Sequence, residues 1–188
     1  MKLAAATGIA GLSIEDSTGD EAHPLYEFEL AVERIQAARS AIDESGIGGG
    51  GGKGIVLTGR SEGFLWGRPD IDETARRLSA YSEAGADCLY APRITTAAQI
   101  ATLGTAVSPK PLNLLINAPF LTVAEAAAMG VRRISVGGTL ARTAWAGFLA
   151  AATEIAEEGT FSKFEHLPNV DALLRATLDG AVWIGHVK

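Results

Sequence analysis

Two segments of the chain decide the fold: Gly11-Leu-Ser-Ile-Glu15-Asp16 and Ile55-Val-Leu-Thr-Gly-Arg60-Ser-Glu62. Each continues a short apolar run and ends in charged side chains. Short apolar runs that stop at polar residues are typical of strands buried in a parallel sheet. Parallel sheets bind their ligands at the C-terminal ends of the strands. The two charged ends therefore predict part of an active-site rim.

Helices alternate with strands along most of the chain. The pattern predicts strands that begin near residues 8, 54, 87, 111 and 132, with the chain start running directly into the first. Their continuous apolar character favours a parallel sheet covered on both faces, and five β–α units follow one another. Apolar residues three or four apart and capping side chains predict the helices. These are Leu25–Ser45, a helix capped by Asp70 or Asp72, Thr95–Leu103, a short helix capped by Thr122, and Leu140–Glu158.

Composition narrows the class of protein. A length of 188 residues is typical of one domain, and 47% hydrophobic residues are enough for a sizeable core. The net charge of −6 argues against nucleic acid or an anionic membrane as a partner, because both are bound by clustered Lys and Arg. Apolar stretches stay far below the roughly 18 residues of a membrane span. We therefore expect a cytoplasmic protein, in which Cys88, within an apolar run, is a buried structural thiol.

A run of glycines, Gly48–Gly52, precedes Lys53 and suggests a phosphate-binding loop at first sight. The Walker pattern fails here, since Ile47 and Gly54 occupy the positions that require a glycine and a Ser or Thr. The run also follows a helix and precedes a strand, which is the wrong order for an anion site at a helix N-terminus. We predict a flexible connecting loop.

The strand ends carry the residues with the clearest chemistry. Glu15 and Asp16 end the first predicted strand, and Arg60 follows the second. Mg²⁺ prefers one or two carboxylates together with waters and substrate oxygens, and Arg binds a carboxylate or phosphate with two parallel hydrogen bonds. These ends could hold a divalent cation and an anionic substrate at one place. The alternative is structural, because acids after strands often cap helices and an Arg can simply pair with them. The three histidines have no metal-ligand spacing and are interpreted as surface or packing residues: His23, His166 and His186.

Four blocks of sequence, in order, resemble the isocitrate lyase/phosphoenolpyruvate mutase family, and most closely its carboxyvinyl-carboxyphosphonate phosphorylmutase-like branch. The resemblance extends from about Ala10 to Phe161. The blocks are Gly11-Leu-Ser-Ile-Glu15-Asp-Ser-Thr-Gly19, Val56-Leu-Thr-Gly-Arg60-Ser-Glu62, Tyr81-Ser-Glu-Ala-Gly-Ala-Asp87-Cys-Leu and Gly130-Val-Arg-Arg-Ile-Ser-Val-Gly137-Gly.

The resemblance implies a (β/α)8 TIM barrel that binds Mg²⁺ and makes or breaks a C–C or P–C bond next to a 2-oxo acid. Mg²⁺ would stabilise the enolate left when the bond breaks. Glu15 matches the metal-shell glutamate and is taken with its neighbour Asp16 as the metal site, and Arg60 matches the substrate-binding arginine. Glu62 matches a supporting acid and is taken with Arg60 as catalytic. The family's substrate asparagine aligns cleanly with neither of two weaker substrate-binding candidates, Asn113 and Asn117.

Departures from the family pattern matter as well. The five β–α units correspond to barrel strands 4–8, which predicts an incomplete barrel over residues 1–161 and a helical tail over 162–188. The family's paired metal-binding aspartates belong to the third strand and have no counterpart here. The Cys-Gly-His motif of the lyases is also missing, and Arg93 stands where the lyases have a glutamate.

Three hypotheses follow. The first is a Mg²⁺-dependent lyase or mutase acting on an oxaloacetate- or phosphonopyruvate-like substrate. The second is an inactive barrel fragment that serves only as a fold or assembly unit, with an open sheet edge that favours association. The third is an open flavodoxin-like ligand-binding domain. This hypothesis does not explain why one strand ends in acidic residues and another in an arginine. Relatives commonly exchange their eighth helix between subunits, so we expect a homo-oligomer that uses Leu140–Glu158 and the tail.

Overall fold

The structure is a computed structural model that describes residues 1–46, 54–170 and 175. The predicted glycine loop lies outside the described residues, as does most of the predicted helical tail. Within the described part of the tail, residues Ser162–Phe164 form a short 3-10 helix.

Five parallel strands form one sheet in the order of the chain. The predicted parallel sheet is confirmed, although the first strand begins at Gly11 and not near residue 8. The strands are β1 (Gly11–Glu15), β2 (Val56–Arg60), β3 (Cys88–Tyr90), β4 (Leu112–Leu115) and β5 (Arg133–Ser135).

Six helices connect or flank these strands in the described part of the chain. Two predicted caps are confirmed: Asp70 accepts from the backbone N–H of Glu73 at 2.9 Å, and Thr122 forms a capping box with Glu125. The chain start does not run directly into the first strand, because a short helix precedes it. The helices are α1 (Lys2–Ala5), α2 (Phe28–Glu44), α3 (Ile71–Glu83), α4 (Ala97–Val107), α5 (Val123–Ala128) and α6 (Thr139–Glu158).

The hydrophobic core lies between one face of the sheet and the helices. Leu57, Leu89 and Leu114 are fully buried on this face and belong to the same cluster as Leu78 of α3. Gly59 of β2 allows α3 to approach closely, since a Cβ at Gly59 would lie 2.9 Å from Cβ of Tyr81. The missing side chain at Gly59 therefore allows β2 and α3 to pack in direct contact.

The opposite face of the sheet is polar. Side chains alternate along a strand, so the residue after each core-facing leucine or glycine faces the other way. The strand register joins five of these residues in one row, which runs from Glu15 through Arg60, Tyr90 and Asn113 to Arg133. The outer edges of β1 and β5 have no strand partner among the described residues. This open, polar face is the inner side of an incomplete barrel.

The chain divides into two compact units, Met1–Gly137 and Gly138–Lys188. The first contains the sheet; the second contains α6, which ends at Gly159 in a left-handed conformation. Large apolar side chains of α6 are exposed, among them Leu140, Trp145 and Phe148. The predicted domain limit between residues 161 and 162 stays a prediction. None of the helices in the described residues is long and apolar enough to cross a membrane.

Candidate active site

Arg60 is the centre of a charged cluster at the C-terminal edge of the sheet. Its Nε lies 3.4 Å from Oε2 of Glu15, which pairs with it in the strand register. Its second contact is Glu62, whose Oε2 accepts from Nη2 of Arg60 at 3.1 Å and whose Oε1 accepts from Nε. We call Glu15, Arg60 and Glu62 the open cluster. The structure thus brings together three of the predicted site residues.

The two carboxylates of the open cluster have different surroundings. Glu62 is 1% exposed, whereas the side chain of Glu15 is 46% exposed. Burial raises the pKa of Glu62, and the hydrogen bond and charge of Arg60 offset that rise only in part. Burial lowers the pKa of Arg60, but its contacts with Glu62 and Glu15 outweigh this and raise it above the usual value. Arg60 therefore remains a cation, held by the buried Glu62 and bordered by the exposed Glu15.

Asp16 belongs to a second cluster, which is buried. Its Oδ1 accepts from the backbone N–H of Glu62 at 2.7 Å, and its Oδ2 accepts from the hydroxyl of Tyr81 at 2.8 Å and from Arg77 at 3.3 Å. Arg77 also donates to Glu73 at 2.7 Å. We call Asp16, Glu73, Arg77 and Tyr81 the closed cluster. It ties the end of β1 to β2 and α3, with both oxygens of Asp16 occupied.

Asn113 and Asn117, the two predicted substrate asparagines, lie in different environments. Asn113 is 2% exposed and donates from Nδ2 to the hydroxyl of Ser135 at 3.0 Å. Its Oδ1 is buried without a hydrogen-bond partner among the described residues. Asn117 follows β4 and is exposed. Only Asn113 lies in the row that contains Arg60.

The other candidate residues that the structure describes form no hydrogen bond or ion pair with the open cluster. Cys88 is buried, as predicted, and burial raises the pKa of its thiol. Arg93 is exposed and has a positive φ of 69°, a conformation unusual for a non-glycine residue. His23 is an exposed residue 3.5 Å from Asp20, and His166 is also exposed. His186 lies outside the described residues.

The two carboxylates that end β1 differ in how well they fit Mg²⁺. Glu15 offers an exposed carboxylate of the hard oxygen type that Mg²⁺ prefers. Asp16 fits less well, because protein donors already occupy both of its oxygens. Nowhere in the described residues do three acidic, His or Cys side chains group in a way that could hold a metal. In this region of the described residues Glu15 is the carboxylate that fits as a ligand, and the role of Asp16 as a metal ligand stays a prediction.

Sequence reasoning missed three residues that shape this region. Arg77 and Tyr81 lie on α3 at helical spacing, and nothing in their pattern distinguishes them from ordinary helix residues. Tyr90 lies on a strand that was taken only as an apolar run. Alternation along β3 could have placed it on the face that carries Arg60, had the register been known.

The fold and the cluster together define a class: a parallel α/β barrel, incomplete in this chain, with a charged rim at the C-terminal ends of its strands. The chain belongs to the phosphoenolpyruvate phosphomutase family, whose sequence model matches residues 1–156. Among the curated proteins, none matches.

Solved structures agree with this assignment. A protein described as a lyase/mutase from Burkholderia cenocepacia J2315 is 44% identical with a TM-score of 0.82, and the match covers 94% of this chain and 62% of that one. A protein of the same organism described as a phosphonomutase is 31% identical with a TM-score of 0.71, over 81% and 60% of the two chains. A phosphonopyruvate hydrolase is 26% identical with a TM-score of 0.71, over 93% and 60%. This chain therefore spans less than two thirds of the length of these relatives.

Proposed function

We propose that this chain forms the substrate-anchoring side of a Mg²⁺-dependent lyase or mutase. The reaction makes or breaks a C–C or P–C bond next to a 2-oxo acid and passes through an enolate. The observation that carries the proposal is Arg60, fixed between an exposed and a buried carboxylate at the strand ends. Nε and Nη2 of Arg60 already bind Glu62, so a ligand carboxylate would bind through two parallel hydrogen bonds to the edge formed by Nη1 and Nη2.

The charges of the open cluster support a divalent cation. Two carboxylates face one guanidinium, so the cluster is negative before any substrate binds. An anionic 2-oxo acid would add to the repulsion, and a divalent cation beside Glu15 would offset it. Lewis-acid stabilisation of the enolate charge is the chemistry that Mg²⁺ supplies when it is bound.

The chain's own residues have distinct roles in this proposal. Arg60 binds the substrate carboxylate and orients the 2-oxo group, while Glu62 keeps the guanidinium in place. Asp16 positions Glu62 through its backbone N–H at 2.7 Å. The substrate is oxaloacetate- or phosphonopyruvate-like, in keeping with a phosphonopyruvate hydrolase among the similar structures. Location in the cytoplasm stays a prediction. The exposed apolar side chains of α6 favour the predicted homo-oligomer.

A second candidate is a chain without activity of its own that serves as a fold or assembly unit. Two observations favour it. Protein donors bind both carboxylate oxygens of Asp16, and both outer edges of the described sheet lack a partner strand. Unpaired edges promote pairing with another chain. This candidate predicts association but no binding of substrate analogues.

Calorimetry with oxalate, a mimic of the enolate, separates the two candidates. We expect wild-type protein to bind oxalate only with Mg²⁺ present, and Arg60→Ala to weaken binding about 100-fold because it removes two charge-assisted hydrogen bonds. Arg76→Ala is the matched control, since Arg76 is an exposed arginine that pairs with Glu73 on α3. Absence of oxalate binding by the wild type in the presence of Mg²⁺ would refute the proposal.

A further inference from the structure

Arg133 begins β5 on the polar face of the sheet, in the row that contains Arg60. Its Nη1 donates to Oγ1 of Thr58 at 2.7 Å. Thr58 belongs to β2, and β3 and β4 lie between β2 and β5 in the sheet. At about 4.8 Å between neighbouring strands, a flat sheet would hold the backbones of β2 and β5 roughly 14 Å apart. Since one side chain bridges them, the polar face is concave and Arg133 reaches across it.

The charge of Arg133 has no carboxylate to balance it among the described residues. Arg60 and Arg77 each lie between two carboxylates, whereas Arg133 forms no ion pair with the described part of the chain. Thr58, its hydrogen-bond partner, is 2% exposed and supplies a hydroxyl and not a charge. Both residues line a groove of about 780 Å³ on the concave face. A guanidinium with open space beside it and no ion-pair partner is suited to bind an anionic group.

The two arginines of the polar face are placed to bind opposite ends of one small molecule. Thr58 and Arg60 face the same way on β2, two residues apart, which is about 7 Å along the strand at roughly 3.3 Å per residue. The guanidinium of Arg60 lies at the C-terminal edge with the open cluster. That of Arg133 lies beside Thr58, nearer the N-terminal end of β2. An extended dianion can therefore contact one arginine at each end.

We propose that Arg133 is a second substrate-binding residue, which binds an anionic group on C3 of the 2-oxo acid and so selects dianionic substrates. The inference rests on the proposed function and deepens it, because oxaloacetate and phosphonopyruvate both carry such a group. Arg60 binds the C1 carboxylate, and Thr58 is a positioning residue that acts through Arg133. A substrate with a methyl group in place of the second anion would leave the guanidinium of Arg133 without its partner and would bind less tightly.

The test compares oxaloacetate with 2-oxobutyrate, which has a methyl group in place of the second carboxylate. Their affinities are measured with Mg²⁺ present, from their displacement of oxalate. We expect Arg133→Gln to weaken oxaloacetate binding about tenfold, the effect of losing a hydrogen bond to a charged group. The affinities for 2-oxobutyrate and for oxalate, which is too short to extend from Arg60 to Thr58, should stay unchanged. Phosphonopyruvate, measured in the same way, shows whether Arg133 prefers a carboxylate or a phosphonate.

Two further variants make the test specific. Thr58→Val keeps the shape of the side chain but removes the acceptor for Arg133, so a smaller loss, again confined to oxaloacetate, is expected. Arg132→Gln is the matched control, because it removes the same charge from the adjacent residue. Nη1 of Arg132 donates to the backbone carbonyls of Ala127 and Val131 at 3.4 and 3.2 Å, and its loss should leave the preference for oxaloacetate unchanged.

Each outcome decides the inference. If the wild type binds oxalate through Arg60 but Arg133→Gln keeps the full preference for oxaloacetate over 2-oxobutyrate, the role of Arg133 is overturned and the proposed function stands. The same holds if the wild type shows no such preference, or if Arg132→Gln loses it equally. Failure of the wild type to bind oxalate overturns the proposed function and this inference together. If Arg133→Gln has a lowered melting temperature, Thr58→Val decides: an unchanged preference, with unchanged melting, contradicts the inference.

Discussion

The closed cluster and the open cluster are built from neighbouring residues, yet they have opposite character. Asp16 of the closed cluster is buried with both oxygens bound by protein donors, whereas Glu15, one residue earlier, is 46% exposed beside Arg60. Successive side chains of a strand point to opposite faces, so one carboxylate enters the fold and the other faces the polar inner side. The comparison shows that burial and the number of hydrogen-bond partners, more than residue type, separate a structural carboxylate from one available to a ligand.

The largest effect is expected from breaking the closed cluster. Asp16→Ala leaves Arg77, whose side chain is 9% exposed, without one of its carboxylate partners and leaves the hydroxyl of Tyr81 without its acceptor. Loss of one partner of a buried ion pair costs about 3–5 kcal/mol, so we expect the free energy of unfolding in urea to fall by that amount. Asp43→Ala is the control: Asp43 pairs with Arg39 but is 64% exposed, and its loss should cost less than about 1 kcal/mol. Equal losses in the two variants would show that the closed cluster is not structural.

The corresponding change in the open cluster should leave stability intact and affect ligand binding. Glu15→Gln is expected to alter the free energy of unfolding by less than about 0.5 kcal/mol, as is usual for an exposed position. Its affinity for oxalate in the presence of Mg²⁺ should fall about tenfold, because the amide carries no charge to attract the cation. Glu44→Gln, which alters an exposed pair with Lys2, controls for net charge. A marked loss of stability in Glu15→Gln, with oxalate affinity unchanged, would reverse the assignment of the two clusters.

The smallest expected effect is a difference in the titration of two glutamates. Burial raises the pKa of Glu62 above the usual value of 4.5, whereas hydrogen bonds from Arg76 and then Arg77 lower the pKa of Glu73 below it. The contribution of Glu73 to stability is therefore present above its unfolded pKa and is lost as the pH falls through its lowered value. The contribution of Glu62 to stability has the opposite pH dependence. It is greatest at low pH and is lost as the pH rises through the raised pKa of Glu62.

Carboxyl-carbon NMR can follow both titrations in one sample. Glu62 should take up its proton at a higher pH than Glu73, with their midpoints on opposite sides of 4.5. If Glu73 took up its proton at a higher pH than Glu62, Arg60 and not burial would be the main influence on the pKa of Glu62.

The sequence was sufficient to predict the sheet and the open cluster. Five apolar runs, with segments of helical spacing between them, predicted the five parallel strands. Arg60 and Glu62 lie two residues apart at the end of β2, so their contact is local. Glu15 and Arg60 could be joined because the C-terminal ends of adjacent parallel strands meet at one edge of the sheet. Local spacing and one rule of topology therefore accounted for the open cluster.

The closed cluster and the hydrogen bond between Asn113 and Ser135 could not be predicted in this way. Asp16 and Tyr81 are 65 residues apart and meet only because Gly59 lets α3 pack closely on β2. The contact between Asn113 and Ser135 depends on the register of β4 and β5, which a pattern of apolar residues does not determine within one or two positions. Such contacts depend on tertiary packing, and for this reason Asp16 was placed with the metal ligands on sequence alone.

The most direct test of the central claim is to observe the side chain of Arg60 while oxalate and Mg²⁺ are added. We predict that the NMR signal of its Nε–H, which donates to Glu62, shifts on addition of oxalate, because a carboxylate bound to the other N–H groups of the guanidinium changes the charge distribution of the whole group. The Nε–H signal of Arg77, which donates to Glu73 at 2.7 Å in the closed cluster, should remain unchanged. A signal of Arg60 that does not move at saturating oxalate, or a shift of Arg77 alone, would contradict the assignment of the open cluster as the substrate anchor.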